Sequence, residues 1–161
     1  MDYVYGLLKF IFAPPIIAAV LAAVLSGYLV SRWRSREDAI ERRLDEFIEK
    51  VDEIATVASA YWRLDHKEPT VKIEGVKVLA GIARLDGLRS SLQSVMSASA
   101  TTEISFASSG FLRSCTGGDF GVHNRATDLG RSEQILLIAA TLCVAVRTAR
   151  MKDMKGWRRR R

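Results

Sequence analysis

The chain is poor in the residues that most chemistry uses. Its 161 residues include two histidines, two cysteines and three prolines. Cys115 and Cys143 stand 28 residues apart, with no Cys-x-x-Cys and no Cys/His set at zinc spacing. No metal site and no cofactor is expected on that basis. His66 and His123 are too far apart in the sequence to suggest one site. No phosphate-binding Lys-Ser/Thr follows the glycine pair at 117–118. No internal repeat is visible, and no segment alternates as a strand does, so an all-α chain is expected. Charge is also missing from one place: Phe10 to Val30 is 21 residues without a charged side chain.

That uncharged run is long enough to cross a bilayer, whose core needs roughly 20 apolar residues as a helix. Pro14 and Pro15 lie inside it. Proline is tolerated in the first turn of a helix, where its missing N–H would have no partner anyway. The transmembrane helix is therefore placed at 14–33. Residues 1–13 form a separate piece at the outer interface, where Tyr3, Tyr5 and Phe10 suit the aromatic zone. A cleaved signal peptide is the competing reading, but its charged end should precede the apolar run. Here Arg32, Arg34 and Arg36 follow it. The positive-inside bias then puts the N-terminus outside and the rest in the cytoplasm.

The basic charge of the whole chain comes from short clusters. Residues 37–146 carry 12 basic and 16 acidic side chains, whereas 147–161 are net plus seven. A basic nucleic-acid-binding domain thereby loses support. Arg32, Arg34 and Arg36, and the tail residues Trp157, Arg158, Arg159, Arg160 and Arg161, are expected to meet anionic lipid: the indole suits the headgroup level and guanidinium groups suit phosphates. RNA contact would use the same residue types. Within the membrane segment, Ala18, Ala22 and Ser26 form one ladder at spacing four, and Ala19, Ala23, Gly27 and Ser31 form another. Small residues let helices approach closely in lipid, so a homo-oligomer is expected.

Residues 34–154 read as an antiparallel helical bundle, with 155–161 as a polybasic tail. Ile40, Leu44, Phe47, Val51, Ile54, Ala58 and Tyr61 recur at alternating spacings of four and three. Ile48, Ala55 and Trp62 widen the stripe, which favours packing against later helices of the same chain over a two-stranded coil. Pro69 stops this helix. A second helix over 71–98 is expected to bury Leu79, Ile82, Leu85, Leu88, Leu92 and Val95, with Gly75, Gly81 and Gly87 allowing close approach. Ser97 to Thr102 is read as a break, 103–115 as a short helix, and 116–127 as a glycine-rich loop. Thr127 or Asp128 caps a last helix that reaches about Lys152. The uncharged run Ile135–Val146 of that helix is expected to be enclosed on all sides, and Cys143 within it to be a core thiol.

Reactive types concentrate in Thr116-Gly-Gly-Asp-Phe-Gly-Val-His-Asn-Arg125. His123 could serve as acid or base, with Asp119 and Arg125 beside it. A lone loop histidine near one carboxylate is more often part of a solvated turn, so no catalytic set is assigned.

In its order of elements the chain resembles uncharacterised bacterial and prophage single-pass membrane proteins. The shared features are a membrane helix, an acidic amphipathic helix, and Thr116-Gly-Gly-Asp-Phe120 before a final helix. Its layout is also similar to membrane-anchored accessory proteins of CRISPR and other antiphage systems, which join one membrane helix to a HEPN-like helical domain, some forming pores. The resemblance implies a membrane-perturbing defence effector. A tethered HEPN-like nuclease and an adaptor for a soluble partner are the alternatives. The nuclease motif separates Arg from His more widely than Arg63 and His66 do, and no other pair in the chain fits it.

Overall fold

A computed structural model describes residues 14–122 and 125–158, with side chains described for 18–122 and 125–155. The expected interfacial segment 1–13 lies outside the described residues. Four helices make up the described chain: α1 Pro14–Arg63, α2 Thr70–Gln93, α3 Ala98–Thr116 and α4 Leu129–Arg158. Among the described residues there is no strand. The chain divides into two units, one ending at Ala39 and the other starting at Ile40. Arg34–Arg36 are exposed, and the first core side chain is Ile40.

In the first unit α1 begins at Pro14, as the ring's fixed φ and missing donor favour. Every residue from Ala18 to Arg36 is exposed. Val20, Leu21, Val24, Leu25, Tyr28 and Leu29 are each more than half accessible. The Ser26 hydroxyl donates to the carbonyl of Ala23 at 2.9 Å, so it needs no outside acceptor.

The second unit closes around the α1 seam. Ile40, Leu44, Phe47, Val51, Ile54, Ala58 and Tyr61 are all buried, as are Ala55 and Trp62. The heptad pattern thus packs within the chain. Tyr61 lies by Gly75 and Ile54 by Gly81, while Arg43 donates to the carbonyl of Ser91. A Cβ at Gly81 would sit 2.7 Å from Ile54 Cγ1, so this glycine permits the approach of α2 to α1. Gly87 has nothing near it and plays no such part.

Three readings of these helices need correction. α2 buries Val71, Val78, Leu85 and Leu92, a stripe of exact seven-residue spacing, and leaves Leu79 53% exposed. The hydrophobic residues of α2 outnumber its contact positions, so pattern alone could not choose among them. α3 starts at Ala98 rather than at 103. Ser97 accepts from the Ala100 N–H as N-cap, and the hydroxyls of Thr101 and Thr102 return to the Ala98 carbonyl. α4 continues to Arg158, beyond Lys152, and its Ile135–Val146 run is not enclosed. Ile135, Ala139, Leu142 and Val146 are buried on one face, while Leu137 is 70% and Val144 67% exposed on the other.

Among the described residues, the segment Leu129–Lys155 is long and apolar enough to cross a membrane, with an 18-residue window of mean hydropathy 1.5. It is also a core helix. Its inner face completes the hydrophobic core, and Arg147 and Arg150 pair with Glu41 and Asp45 of α1. The uncharged run Phe10–Val30 is only partly within the described residues.

The two faces of α4 should answer differently to the same substitution. Leu142→Asp places a charge where the leucine is 1% exposed. It should abolish the cooperative thermal transition, because an isolated buried charge costs several kcal/mol even after relaxation. Leu137→Asp should shift stability by only about 0.5 kcal/mol. Circular dichroism melts of both variants check this contrast.

Candidate functional site

The loop between α3 and α4 is built onto the C-terminal end of α1. A helix leaves its last four carbonyls without intrahelical donors. At the end of α1 the carbonyls of Tyr61 and Trp62, and of Leu64 just beyond it, are met by residues far along the chain. Arg125 donates through Nη2 to the carbonyls of Tyr61 and Leu64, the latter at 3.2 Å. The backbone N–H of Asp128 donates to the Trp62 carbonyl at 2.9 Å. A cation at a helix C-terminus is also favoured by the helix dipole.

Aromatic rings hold the same guanidinium from below. Arg125 Cζ lies 4.2 Å from the Tyr61 ring centre and 5.0 Å from that of Trp62. Arg131 lies 4.3 Å over Trp62 and donates to the Gly117 carbonyl at 2.5 Å. Trp62 in turn donates its indole N–H to the Cys115 carbonyl at 2.9 Å. Phe120 completes the cluster at 4.6 Å from Tyr61. Asp128 caps α4 by accepting from the Arg131 N–H at 2.8 Å. Gly118 and Gly121 have φ of 63° and 78°, a region that side chains strain to enter, so the turn depends on them.

Of the reactive types in this loop, Asp119 and Arg125 are among the described residues. Asp119 is exposed and its carbonyl closes a turn with Val122. Arg125 is 2% exposed and donates to the carbonyls of Tyr61 and Leu64. Its Nε faces no acceptor. His123 lies outside the described residues. His66 sits at the end of α1, its Nδ1 3.0 Å from Asp65. Among the described residues no three His, Cys, Asp or Glu side chains converge as a metal set.

The sequence reading missed a buried polar link. Arg63 Nε donates to Ser132 Oγ at 2.7 Å, and Ser132 shares a 2.7 Å hydrogen bond with Ser59. Both serines are buried, and nothing in their spacing distinguishes them from surface serines.

The cysteine reading is reversed in part. Cys115 is fully enclosed, and burial pushes its thiol up to about 12. Cys143 is half-buried; its thiol is pushed up to about 11, first by burial and then by the Asp52 carboxylate, which accepts from it at 3.8 Å. Neither is a thiolate near neutral pH.

The remaining expected contacts separate by helix. The ladder residues Ala18, Ala19, Ala22, Ala23, Ser26, Gly27 and Ser31 are all exposed, and a Cβ at Gly27 would meet nothing within 4 Å. Arg32, Arg34 and Arg36 are exposed. Trp157 and Arg158 belong to the last turn of α4, while Arg159, Arg160 and Arg161 lie outside the described residues. The basic cluster after 146 is not one unit. Arg147 pairs with Asp45 and Glu41, Arg150 with Glu41, and Lys152 with Glu103. Comparison with known proteins gave no matching family model, no matching curated protein and no matching solved structure.

Arg125→Gln should lower stability by about 2–4 kcal/mol, since it removes the cation from buried carbonyls and rings. Arg125→Lys should recover little, because one ammonium cannot reproduce the planar fork or its stacking. Urea denaturation curves of the two variants check both statements.

The thiols carry a pH signature. Because folding raises both pKa values above an ordinary thiol's 9.0, their contribution is intact below about pH 9 and is lost as pH rises towards 11 and 12. The melting temperature should therefore fall across that window, and less steeply for a Cys115→Ala, Cys143→Ala chain. Iodoacetamide at pH 7.5 should leave Cys115 unmodified until the protein is unfolded.

Proposed function

We propose that this chain is a non-enzymatic, oligomeric protein of the bacterial inner membrane. Its 14–33 helix spans the bilayer with the N-terminus outside, and its cytoplasmic domain is an antiparallel helical bundle. The observation that carries this reading is the exposure of every side chain from Ala18 to Ser31, none of them charged. In water such an unpartnered helix would expose apolar surface all round, whereas in lipid it is satisfied by its own backbone hydrogen bonds. α4 is the poorer span, because its basic side chains pair with α1 and its inner face is core. The pairings of Tyr61 with Gly75, Ile54 with Gly81 and Arg43 with Ser91 support opposed directions for α1 and α2.

Self-association in this proposal runs through the small-residue ladders, where Gly27 leaves open space. Arg32, Arg34 and Arg36 meet anionic lipid at the inner leaflet, joined by the Trp157–Arg161 tail. The cellular role we favour is a membrane-perturbing or pore-forming effector in antiphage defence, which rests on the likeness in layout. The tethered-nuclease alternative is weakened because Arg125, the cation of the reactive loop, is already committed to holding α1. An adaptor that recruits a soluble protein is the other alternative, and nucleic acid as a partner stays secondary to lipid.

Topology and assembly are tested together. Single cysteines at positions 3 and 156, on a background without Cys115 and Cys143, should label oppositely with an impermeant thiol reagent in intact cells. Labelling of position 156 from outside would reverse the orientation. Gly27→Leu should lower the particle mass in detergent; an unchanged mass would move the self-association contact elsewhere.

A further inference from the structure

We propose that the second unit binds a single-chain amphiphile with an anionic head, of the fatty-acid carboxylate class, in a groove between the start of α2 and the α3–α4 loop. The groove has a volume of about 400 Å³, within the range of small-molecule sites. Its floor is the Tyr61–Phe120 ring pair, and Val76, Leu79 and Val122 stand around it. These three side chains are 66%, 53% and 52% exposed. Scattered exposed apolar residues are ordinary, but these converge on one depression.

The depression is held open by specific features. Gly75 forms part of its wall, and a Cβ there would come within 3.3 Å of Tyr61. The Tyr61 hydroxyl accepts the Gly121 N–H at 2.9 Å, which fixes the loop as the opposite wall. Gly121 needs its φ of 78° to present that N–H.

One end of the groove is cationic. A second depression, of about 380 Å³, adjoins it and shares His66 and Lys72 with it; Lys67 and Glu68 also line it. Lys50, Lys77 and Lys152 each pair with a carboxylate. Lys67 and Lys72 have no such partner among the described residues. Among the nearby acids, Asp65 contacts His66 at 3.0 Å, and Glu68 accepts from the Thr70 hydroxyl at 3.5 Å. The first turn of α2 adds no acid and has no side-chain cap. A ligand without a head would leave both ammonium groups unused, and a bare anion would leave the apolar floor wet. An amphiphile with an anionic head uses both.

The site lies wholly within the second unit, so it stands apart from the membrane assignment. The full-length protein in lipid nanodiscs is photolabelled with a diazirine analogue of dodecanoate, and the labelled peptides are mapped by mass spectrometry. Label should fall on peptides containing Val76, Leu79 or Val122. Dodecanoate should compete about tenfold better than dodecanol, the difference expected from one charge-assisted contact. The Lys67→Gln, Lys72→Gln chain should lose that preference, and Gly75→Leu, which fills the groove, should lose the label. Label confined to the 14–33 helix, or equal competition by the alcohol, would overturn the proposal. So would undiminished labelling of a folded Gly75→Leu chain.

Discussion

The end of α1 is the point on which the helical domain depends. The backbone carbonyls of Tyr61, Trp62 and Leu64 would lack partners in an apolar setting, and the chain supplies their donors from more than sixty residues away, through Arg125 and the backbone of Asp128. Because Arg125 can reach only if the loop turns back, the positive φ angles of Gly118 and Gly121 become structural requirements. Because Asp128 is pinned to Trp62, the start of α4 is fixed, and with it which face of α4 meets the core. Trp62 links the parts, contacting two guanidinium groups and the last turn of α3. Loss of one partner exposes the unmet hydrogen bonds of the others, so the cluster should act as a unit.

A second set of contacts fixes α4 further along. Arg150 is buried and reaches Glu41, and Arg147 reaches Asp45. Exposed pairs of this kind add little, about 0–1 kcal/mol, but a buried arginine without its carboxylate is costly. Glu41 and Asp45 follow closely on the segment proposed to leave the membrane. The domain therefore begins with an electrostatic clasp made by its first and last helices. Basic side chains that looked like part of a free tail serve inside this clasp.

Among the described residues of the helical domain, two exposed apolar surfaces stand out. One is the outer face of α4, with Leu137 and Val144. The other surrounds the groove by α2. The groove differs in having Lys67 and Lys72, without an ion-pair partner among the described residues, at one end. A membrane anchor would also concentrate the domain near amphiphiles, an effect that depends only on tethering.

Much of the helical framework was legible without coordinates. Ile40 to Tyr61 alternate at four and three, which only a helix can place on one face, and every one of them is buried. Pro69 and Asp128 mark a stop and a start because ring geometry and capping are local. Tertiary structure alone decided the rest. α2 and α4 carry more apolar residues than their contacts use, so the neighbours chose Val78 over Leu79 and Leu142 over Leu137. Cys115 became the enclosed thiol, and Ser59 and Ser132 a buried pair, because other helices closed over them. Arg125 looked like loop chemistry in the sequence. Its role is set by carbonyls of a helix more than sixty residues earlier, and no local pattern can carry information about a partner so distant along the chain.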